Sequence, residues 1–221
     1  MKVGILDYGA GNIRSVFNAV RQVGFDPVLV SDPFELEKHS HIISPGVGNF
    51  GYVVELFIEK GFKEAVRQYI QGGRYYLGIC VGMQMLFQGS EESPDVTGLG
   101  VMQGQVRKMV ASNHAVVSGK EQSGGRIKLP HIGWSEILPE SHVIDKPCPL
   151  LDGVGREDKF YFVHTYTAVP ELPEQLMAIT RYGENRIASL VGHENTFGTQ
   201  FHPERSGRFG LRLLSNFCNL G

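Results

Sequence analysis

The sequence predicts an α/β fold with an open, mixed, largely parallel sheet flanked by helices and an antiparallel C-terminal extension. In the first half of the chain, short apolar runs alternate with segments of helical periodicity, which is typical of a parallel sheet. In the second half, apolar runs follow one another with few helical segments between them, which indicates antiparallel strands. No internal repeat or low-complexity segment divides the chain, so we expect a single domain over residues 1–221.

The first half is predicted to alternate between strands and helices. We expect an amphipathic helix from Ile13 to about Gly24, a short capped helix near Ser31–Phe34, and one long amphipathic helix from Val54 to Ile70. Because the carboxyl ends of parallel strands meet at one edge of the sheet, we expect a site there. The predicted strands are Val3–Tyr8, Pro27–Val30, His41–Ser44 and Tyr75–Ile79.

The second half is predicted to form strands and one closing helix. The polar, glycine-rich run Ser112–Arg126 is typical of a surface loop, with room for a small hairpin at its start. The closing helix is expected over Ser206–Leu220. The predicted strands are Val101–Val110, Ile132–Leu138, Lys159–Tyr166, Leu176–Tyr182 and Ile187–Gly192.

Composition excludes several classes of protein. The 221 residues are 42% hydrophobic and 20% charged, which is ordinary for a globular protein with a substantial core. A net charge of −2 without a long basic run argues against nucleic acid or a membrane surface as the main partner. Cys80, Cys148 and Cys218 show neither a disulfide framework nor the spacing of a zinc site. The N-terminus leads directly into a strand, so we expect a cytoplasmic protein.

The run Gly78–Gly82, with the sequence Gly-Ile-Cys-Val-Gly, follows a predicted strand and precedes a predicted buried helix. This is the nucleophile-elbow pattern with a thiol in place of a hydroxyl. The glycines are needed because side chains beside a strained strand-to-helix turn would collide. Such a turn places Cys80 at a helix N-terminus, where N–H groups favour the thiolate and the Val81 N–H can bind an oxyanion. The alternative is that Cys80 is a small buried hydrophobe in a tight turn.

A second motif supplies a candidate base for Cys80. His202 follows a strand-like segment, Pro203 sets the chain direction after it, and Glu204 can turn back to hold the imidazole in one tautomer. A nucleophile, a base and an orienting carboxylate need only be close in space. We interpret His39, His114 and His142 as surface residues, because their neighbours are polar.

Two glycine-rich loops follow other predicted strands. The run Pro45–Gly48 is either a simple turn or a second source of oxyanion N–H groups, because glycine lets a backbone approach a substrate closely. The loop containing Gly9 and Gly11 lacks the third glycine of a dinucleotide-binding fingerprint, so we interpret it as a tight turn.

These motifs together resemble the class I glutamine amidotransferases, and in particular the glutaminase subunits of imidazole glycerol phosphate synthase, which act in histidine biosynthesis. The resemblance covers nearly the whole chain, and its motifs occur in the order of the family. They are Asp7–Asn12, Pro45–Gly48, Gly78–Gln84, Ser90–Glu92, Pro130–Trp134, Tyr161–Tyr166 and Gly198–Glu204.

The resemblance implies a flavodoxin-like fold and a detailed chemistry. Cys80 would attack the side-chain amide of glutamine, His202 would transfer protons, and Glu204 would orient His202. The oxyanion would be bound by Val81 together with Val47 or Gly48, after a peptide flip coupled to the substrate of a partner subunit. The positions around bound glutamine are Gln84, Glu92, Thr165 and Tyr166.

The resemblance also implies a partner and no cofactor. Ammonia would pass to a (β/α)8-barrel cyclase in a heterodimer, which acts as a lyase and forms imidazole glycerol phosphate and an aminoimidazole carboxamide ribotide. No metal or organic cofactor would be required. The partner-facing positions would be Asn12, Trp134, Tyr161 and Arg205, although Trp134 could equally be a core residue.

This chain departs from the family pattern at three places. Arg205 stands where lysine is common, Ser135 where asparagine is usual, and the Ser112–Arg126 loop is long. These departures leave two alternatives open: a glutaminase that supplies ammonia to another acceptor, such as an enzyme of surface-sugar amidation, and a non-catalytic activating subunit. An intact set of Cys80, His202 and Glu204 argues against the second alternative.

Overall fold

The computed structural model describes residues 2–111, 115–117, 120–122, 127–140, 143 and 147–221. Among these residues, the helices are α1 (Ile13–Gln22), α2 (Phe50–Glu59), α3 (Phe62–Gln71), α4 (Val81–Gln84) and α5 (Gly207–Cys218). Short 3-10 helices occupy Pro33–Lys38, Pro149–Leu151, Pro173–Gln175 and Pro203–Arg205.

The strands of the first half are β1 (Lys2–Leu6), β2 (Asp26–Val30), β3 (His41–Gly46), β4 (Tyr75–Cys80), β5 (Gly89–Ser90), β6 (Ser93–Thr97) and β7 (Gly104–Lys108). Those of the second half are β8 (Ala115–Val117), β9 (Lys120–Gln122), β10 (His131–Glu136), β11 (Leu138–Pro139), β12 (Lys159–His164), β13 (Tyr166–Pro170), β14 (Leu176–Tyr182), β15 (Asn185–His193) and β16 (Thr196–Thr199).

The main sheet has the predicted mixed topology. In the described residues, its order is β2-β1-β3-β4-β16-β15-β14-β8-β9, with β11 also paired to β14. The five strands from β2 to β16 are parallel, whereas the strands from β15 onward are antiparallel. The prediction of a parallel sheet with an antiparallel extension is therefore confirmed, and β16 joins the two parts by pairing with β4.

The prediction of one long helix from Val54 to Ile70 is wrong. The segment forms two helices, α2 and α3, and Gly61 between them has a φ of +76°. Glycine adopts this left-handed conformation without the strain that a side chain would cause, so the chain can change direction there. Both helices still bury apolar residues, because each keeps its own helical periodicity on one side.

Two small sheets were not expected from the sequence. The run Lys159–Tyr166, predicted as one strand, is interrupted at Thr165, so that β12 pairs with β10 and β13 pairs with β7. The second small sheet has the order β13-β7-β5-β6. The interruption at Thr165 lies beside the carboxyl end of β4, where it helps to form a pocket.

The loop and histidine predictions have mixed outcomes. Within Ser112–Arg126, β8 and β9 form an antiparallel hairpin, whereas residues 112–114, 118–119 and 123–126 lie outside the described residues. His39 is buried, so its assignment to the surface is wrong, and His114 and His142 are not described. Among the residues that the structure describes, no helix combines the length and apolar character needed to cross a membrane.

A buried histidine pair links β10 to β12. His131 and His164 are opposite each other in the register, and Nδ1 of His131 is 3.2 Å from Nε2 of His164. Nδ1 of His164 donates to the Tyr166 carbonyl at 2.8 Å, so its Nε2 accepts a hydrogen bond from His131. Burial lowers the pKa of His131 to about 4 and that of His164 to about 3, so both rings are neutral at pH 7.

These depressed pKa values predict acid sensitivity. In the unfolded chain both histidines bind protons below about pH 6.5, whereas in the folded chain they do not until about pH 4, so stability is lost as pH falls through this window. Because the unfolded chain binds these protons first, we expect the free energy of unfolding to fall by about 2 kcal/mol per histidine when the pH is lowered from 7 to 5. Urea denaturation at both pH values measures this change.

A matched pair of variants isolates the effect. In His131→Gln, the fall in the free energy of unfolding between pH 7 and pH 5 should be smaller by about 2 kcal/mol. His193→Gln, at an exposed position, should keep the fall seen in the wild-type chain. An unchanged fall in His131→Gln would show that the buried pair does not determine the acid sensitivity.

Candidate active site

Cys80 occupies a strained turn between β4 and α4. Its φ of +55° lies in the region that residues with side chains rarely adopt. The turn is closely packed: a Cβ atom on Gly82 would lie 2.0 Å from the Ser44 carbonyl oxygen, and one on Gly78 would lie 2.3 Å from the Gly82 carbonyl oxygen. Only glycine fits at these two positions, which agrees with the steric argument for a nucleophile elbow.

The helix after Cys80 is shorter than the sequence predicts. It spans only Val81–Gln84, and Leu86 and Phe87 then follow in turns, fully buried. A single turn carries a small dipole, so its electrostatic effect on the thiol is weaker than a long helix would give.

His202 and Glu204 form a buried pair beside Cys80. Nδ1 of His202 is 2.9 Å from Oε1 of Glu204, and the two side chains are 3% and 0% exposed. Asn12 donates to the same carboxylate oxygen at 3.4 Å. Because Glu204 binds Nδ1, the Nε2 atom of His202 is the one left to exchange a proton with Cys80 or a substrate.

The environment of His202 favours the imidazolium. Burial alone lowers the pKa of His202, but its interactions with Cys80 and Glu204 raise it to about 10. The imidazolium is therefore favoured when His202 faces a thiolate on one side and a carboxylate on the other. This arrangement is suited to a thiolate–imidazolium pair.

A cavity of about 260 Å³ opens beside Cys80 and His202. Seven residues that the sequence assigned to the oxyanion site or to substrate line it together with these two. Pro130, Val163 and His164 complete its wall without having been predicted as site residues. The predicted lining residues are Val47, Gly48, Val81, Gln84, Glu92, Thr165 and Tyr166.

The Pro45–Gly48 loop is held in place by the loop that follows β1, which contains Tyr8 and Gly11. The Tyr8 hydroxyl donates to the Pro45 carbonyl at 2.5 Å, and a Cβ atom on Gly11 would lie 2.7 Å from the same oxygen. Gly48 has a φ of +113° and open space around it, and Val47 is 39% exposed. The loop is thus anchored at Pro45 and unobstructed at Gly48, where a peptide unit can rotate.

Of the four residues predicted to face a partner, Asn12, Tyr161 and Arg205 are hydrogen-bonded to His202 or Glu204. The fourth, Trp134, reaches the triad only through Tyr161. Trp134 is 54% exposed and contacts Tyr161 edge-to-face, and the Arg205 guanidinium lies 4.3 Å from the centre of the Tyr161 ring. The Tyr161 carbonyl accepts a hydrogen bond from the His202 N–H at 2.9 Å. Trp134 is thus not a core residue, and the exposed aromatic surface formed by Trp134 and Tyr161 is directly connected to the candidate base.

Two features of the site were not predicted. Asn12, assigned to the partner surface, also holds Glu204, and Gln200 contacts the Cys80 sulfur. The position of Gln200, two residues before His202 on the chain, was the only sequence signal for its role. Cys148 and Cys218 are buried, and burial raises their pKa values to about 11 and 12, as expected for cysteines that serve only as core residues.

No cluster of three or more metal-ligating side chains occurs among residues 2–111 or in the later parts of the chain that the structure describes. The chemistry available at the pocket is that of a nucleophilic sulfur, an imidazolium and backbone N–H donors. These groups together are suited to acyl transfer from an amide or ester.

The close packing at the elbow predicts a large effect of one methyl group. Gly82→Ala would force the Val81–Gly82 backbone away from Ser44, so we expect it to lower the free energy of unfolding by about 2 kcal/mol or more. We also expect slower alkylation of Cys80 by iodoacetamide, because the turn that presents the sulfur is displaced. Urea denaturation and mass spectrometry measure the two effects.

Gly155→Ala is the matched control, because a Cβ atom there would lie 3.5 Å from its nearest neighbour, which is an ordinary contact. It should leave the free energy of unfolding and the rate of Cys80 alkylation close to those of the wild-type chain. Equal effects of the two substitutions would contradict the steric account of the elbow.

Comparison with known proteins identifies the family. The model of the family "Glutamine amidotransferase class-I" matches residues 4–220. Imidazole glycerol phosphate synthase subunit HisH of Pyrococcus furiosus is 40% identical over 219 residues, covering 99% of each chain. The subunit HisH of Geobacillus thermodenitrificans is 37% identical over 99% of this chain and 95% of its own length.

A longer relative and a solved structure extend the comparison. Imidazole glycerol phosphate synthase hisHF of Schizosaccharomyces pombe is 40% identical over 98% of this chain, which spans 38% of that protein. The structure described as PurLQS from Thermotoga maritima superposes with a TM-score of 0.72 at 18% identity, covering 99% of this chain and 97% of that one. The chain belongs to the class I glutamine amidotransferases and, within them, to the family of HisH subunits.

Proposed function

We propose that this chain is the glutaminase subunit of an imidazole glycerol phosphate synthase, which hydrolyses L-glutamine to glutamate and supplies ammonia for histidine biosynthesis. The observation that carries the proposal is that Cys80 and His202 line one pocket, while Glu204 holds His202 from its buried side chain. The HisH relatives, which this chain matches over nearly its full length, support the pathway. The supply of ammonia to a different acceptor has no comparable support.

In the first half of the reaction, the Cys80 thiolate attacks the side-chain amide carbon of glutamine. The negative charge then moves to the amide oxygen, where the Val81 N–H and an N–H of Val47 or Gly48 bind it. His202, present as the imidazolium beside the thiolate, donates its proton to the amide nitrogen, and ammonia leaves as the thioester forms. Glu204 keeps the imidazole in one orientation throughout, because it holds Nδ1 at 2.9 Å.

In the second half of the reaction, water hydrolyses the thioester. His202 is neutral after giving up its proton, so it can accept one from water as the oxygen attacks the acyl carbon. The tetrahedral intermediate uses the same oxyanion donors, and its collapse releases glutamate and restores the thiolate and the imidazolium. No proton is lost or gained by the enzyme over one cycle.

The pocket can distinguish the two ends of glutamine. Glu92 places a carboxylate in the lining, which suits the α-ammonium group of the substrate. Its Oε2 atom accepts a hydrogen bond from the Phe50 N–H at 2.7 Å, so the side chain is fixed at the start of α2. Thr165 and Tyr166 also line the pocket, at the interruption between β12 and β13.

The ammonia is proposed to pass to a (β/α)8-barrel cyclase subunit in a heterodimer in the cytoplasm. Ammonia released into water would be protonated and lose its nucleophilicity, so direct transfer between subunits is chemically useful. The fused hisHF relative supports an arrangement in which the two activities lie side by side. The exposed aromatic surface of Trp134 and Tyr161, with Arg205, is the proposed docking surface. We also propose that residues 1–221 form one domain.

Arg205 is compatible with this docking role. Where the family commonly has lysine, the guanidinium stacks on Tyr161 and keeps a positive charge at the surface. Arginine offers more donors than lysine to a carboxylate on a partner, so the substitution keeps the electrostatic role and changes the bonding geometry.

Cys80→Ala separates the proposed chemistry from docking. In complex with the cyclase, this variant should lose glutamine-dependent synthase activity by about 10³-fold or more, because no thioester can form. Activity supported by added ammonium salt should remain, because the cyclase itself is intact. Synthase assays with each nitrogen source, together with binding of the two subunits, measure both effects. Glutamine-dependent activity in the variant would exclude Cys80 as the nucleophile.

Trp134→Ala tests the docking surface. We expect binding to the cyclase to weaken by about tenfold or more, because an exposed tryptophan at the centre of an interface typically contributes 1–2 kcal/mol or more, by the approximate scale of alanine substitutions. Phe34→Ala, at a 91% exposed aromatic residue in the 3-10 helix after β2, is the control and should bind normally. Normal binding by Trp134→Ala would remove this surface from the interface.

A further inference from the structure

The side chain of Gln200 bridges the nucleophile and the pocket lining. It is fully buried at the end of β16. Its Nε2 atom lies 3.7 Å from Sγ of Cys80, and its Oε1 atom lies 3.0 Å from Nε2 of Gln84. The amide therefore has one end against the reacting sulfur and the other against a residue that lines the substrate cavity.

A backbone carbonyl determines how these amides are oriented. The Tyr166 oxygen can only accept hydrogen bonds, and Nε2 of Gln84 lies 3.2 Å from it. The nitrogen of Gln84 must therefore point towards Tyr166, since its oxygen would be repelled. His164 donates to the same carbonyl oxygen at 2.8 Å, so the Tyr166 carbonyl accepts two hydrogen bonds.

The orientation of Gln84 fixes that of Gln200. Because Gln84 presents a nitrogen, the atom of Gln200 that faces it must be the acceptor, Oε1. The opposite orientation of Gln200 would bring two NH₂ groups together and turn an oxygen towards Cys80. The hydrogen bonds thus require that Gln200 presents an N–H to the sulfur, which must accept it. A thiolate accepts a hydrogen bond better than a thiol does.

We infer that Gln200 is a further catalytic residue, which donates a hydrogen bond to the Cys80 sulfur and favours the thiolate. The inference deepens the proposed glutaminase chemistry and rests on the role proposed for Cys80. It also assigns a role to Gln84: both of its N–H groups are used internally, so it can offer only its oxygen to the pocket. The group that Gln84 contacts on a ligand must therefore be a donor, such as an amide or an ammonium group.

Alkylation of Cys80 by iodoacetamide across a pH series tests the inference, because it reports the thiolate without glutamine or a partner. Gln200→Met has a similar volume and no N–H donor. We expect its alkylation midpoint to rise by about 1 pH unit, the scale of a hydrogen bond to a charged group. Gln200→Glu should raise the midpoint further, because it places a carboxylate oxygen against the sulfur.

Gln175→Met is the matched control, since Gln175 is also buried but does not line the pocket. Its midpoint should equal that of the wild-type chain. If folded Gln200→Met has the same alkylation midpoint as the wild-type chain, the inference is overturned. Failure of the cyclase to stimulate glutamine hydrolysis would instead count against the proposed function and would leave the alkylation profile unaffected.

A measurement on the wild-type chain covers the case in which the Gln200 variants do not fold. In protein labelled with ¹⁵N-glutamine, the side-chain NH₂ signal of Gln200 should shift with the same pH midpoint as Cys80 alkylation. The shift should disappear in Cys80→Ala. A Gln200 signal that does not follow the alkylation midpoint would contradict the hydrogen bond to sulfur.

Discussion

The strained turn at Cys80 is the constraint on which the rest of the site depends. The chain enters the turn from β4 and leaves it in α4, and neither Gly78 nor Gly82 has room for a side chain. The backbone at Cys80 therefore has one available conformation, which fixes the direction in which the side chain leaves it. A non-glycine residue with a positive φ stores strain, which persists only where the surrounding structure enforces it. Here β3 and β16 pair with β4 on its two sides and provide that support. The strained turn is therefore supported by the central strands of the sheet.

The strand order explains why residues distant in sequence meet at this turn. Because β16 lies next to β4, the chain that leaves β16 carries Gln200 and then His202 to the sulfur. The same segment is bonded to β12 through the Tyr161 carbonyl, and Tyr161 belongs to the exposed aromatic surface. A partner that moves this surface would thus act on the base through one hydrogen bond. The triad and the aromatic surface are parts of one packed unit, so a partner bound at that surface would have a physical route to the triad.

Much of this arrangement could be predicted from the sequence, because it rests on local signals. Alternating apolar runs predicted the parallel sheet, and the glycines around Cys80 predicted the elbow. The division of the Val54–Ile70 segment at Gly61 was missed, since helical periodicity continues on both sides of one glycine. The burial of His39 and the amide contacts of Gln200 could not be predicted, because they depend on which strands become neighbours. Polar residues in short motifs carry little information about such contacts.

Glutamine hydrolysis by the purified chain, measured with and without the cyclase subunit and a ligand of its barrel, is the most direct test of this account. The account predicts slow hydrolysis by the chain alone and strong stimulation in the liganded complex, because the Val47–Gly48 peptide and His202 respond to the docked partner. The absence of binding or stimulation, with Cys80 still labelled by a glutamine-analogue electrophile, would contradict the assignment to the histidine pathway. In that case, the glutaminase would serve another acceptor.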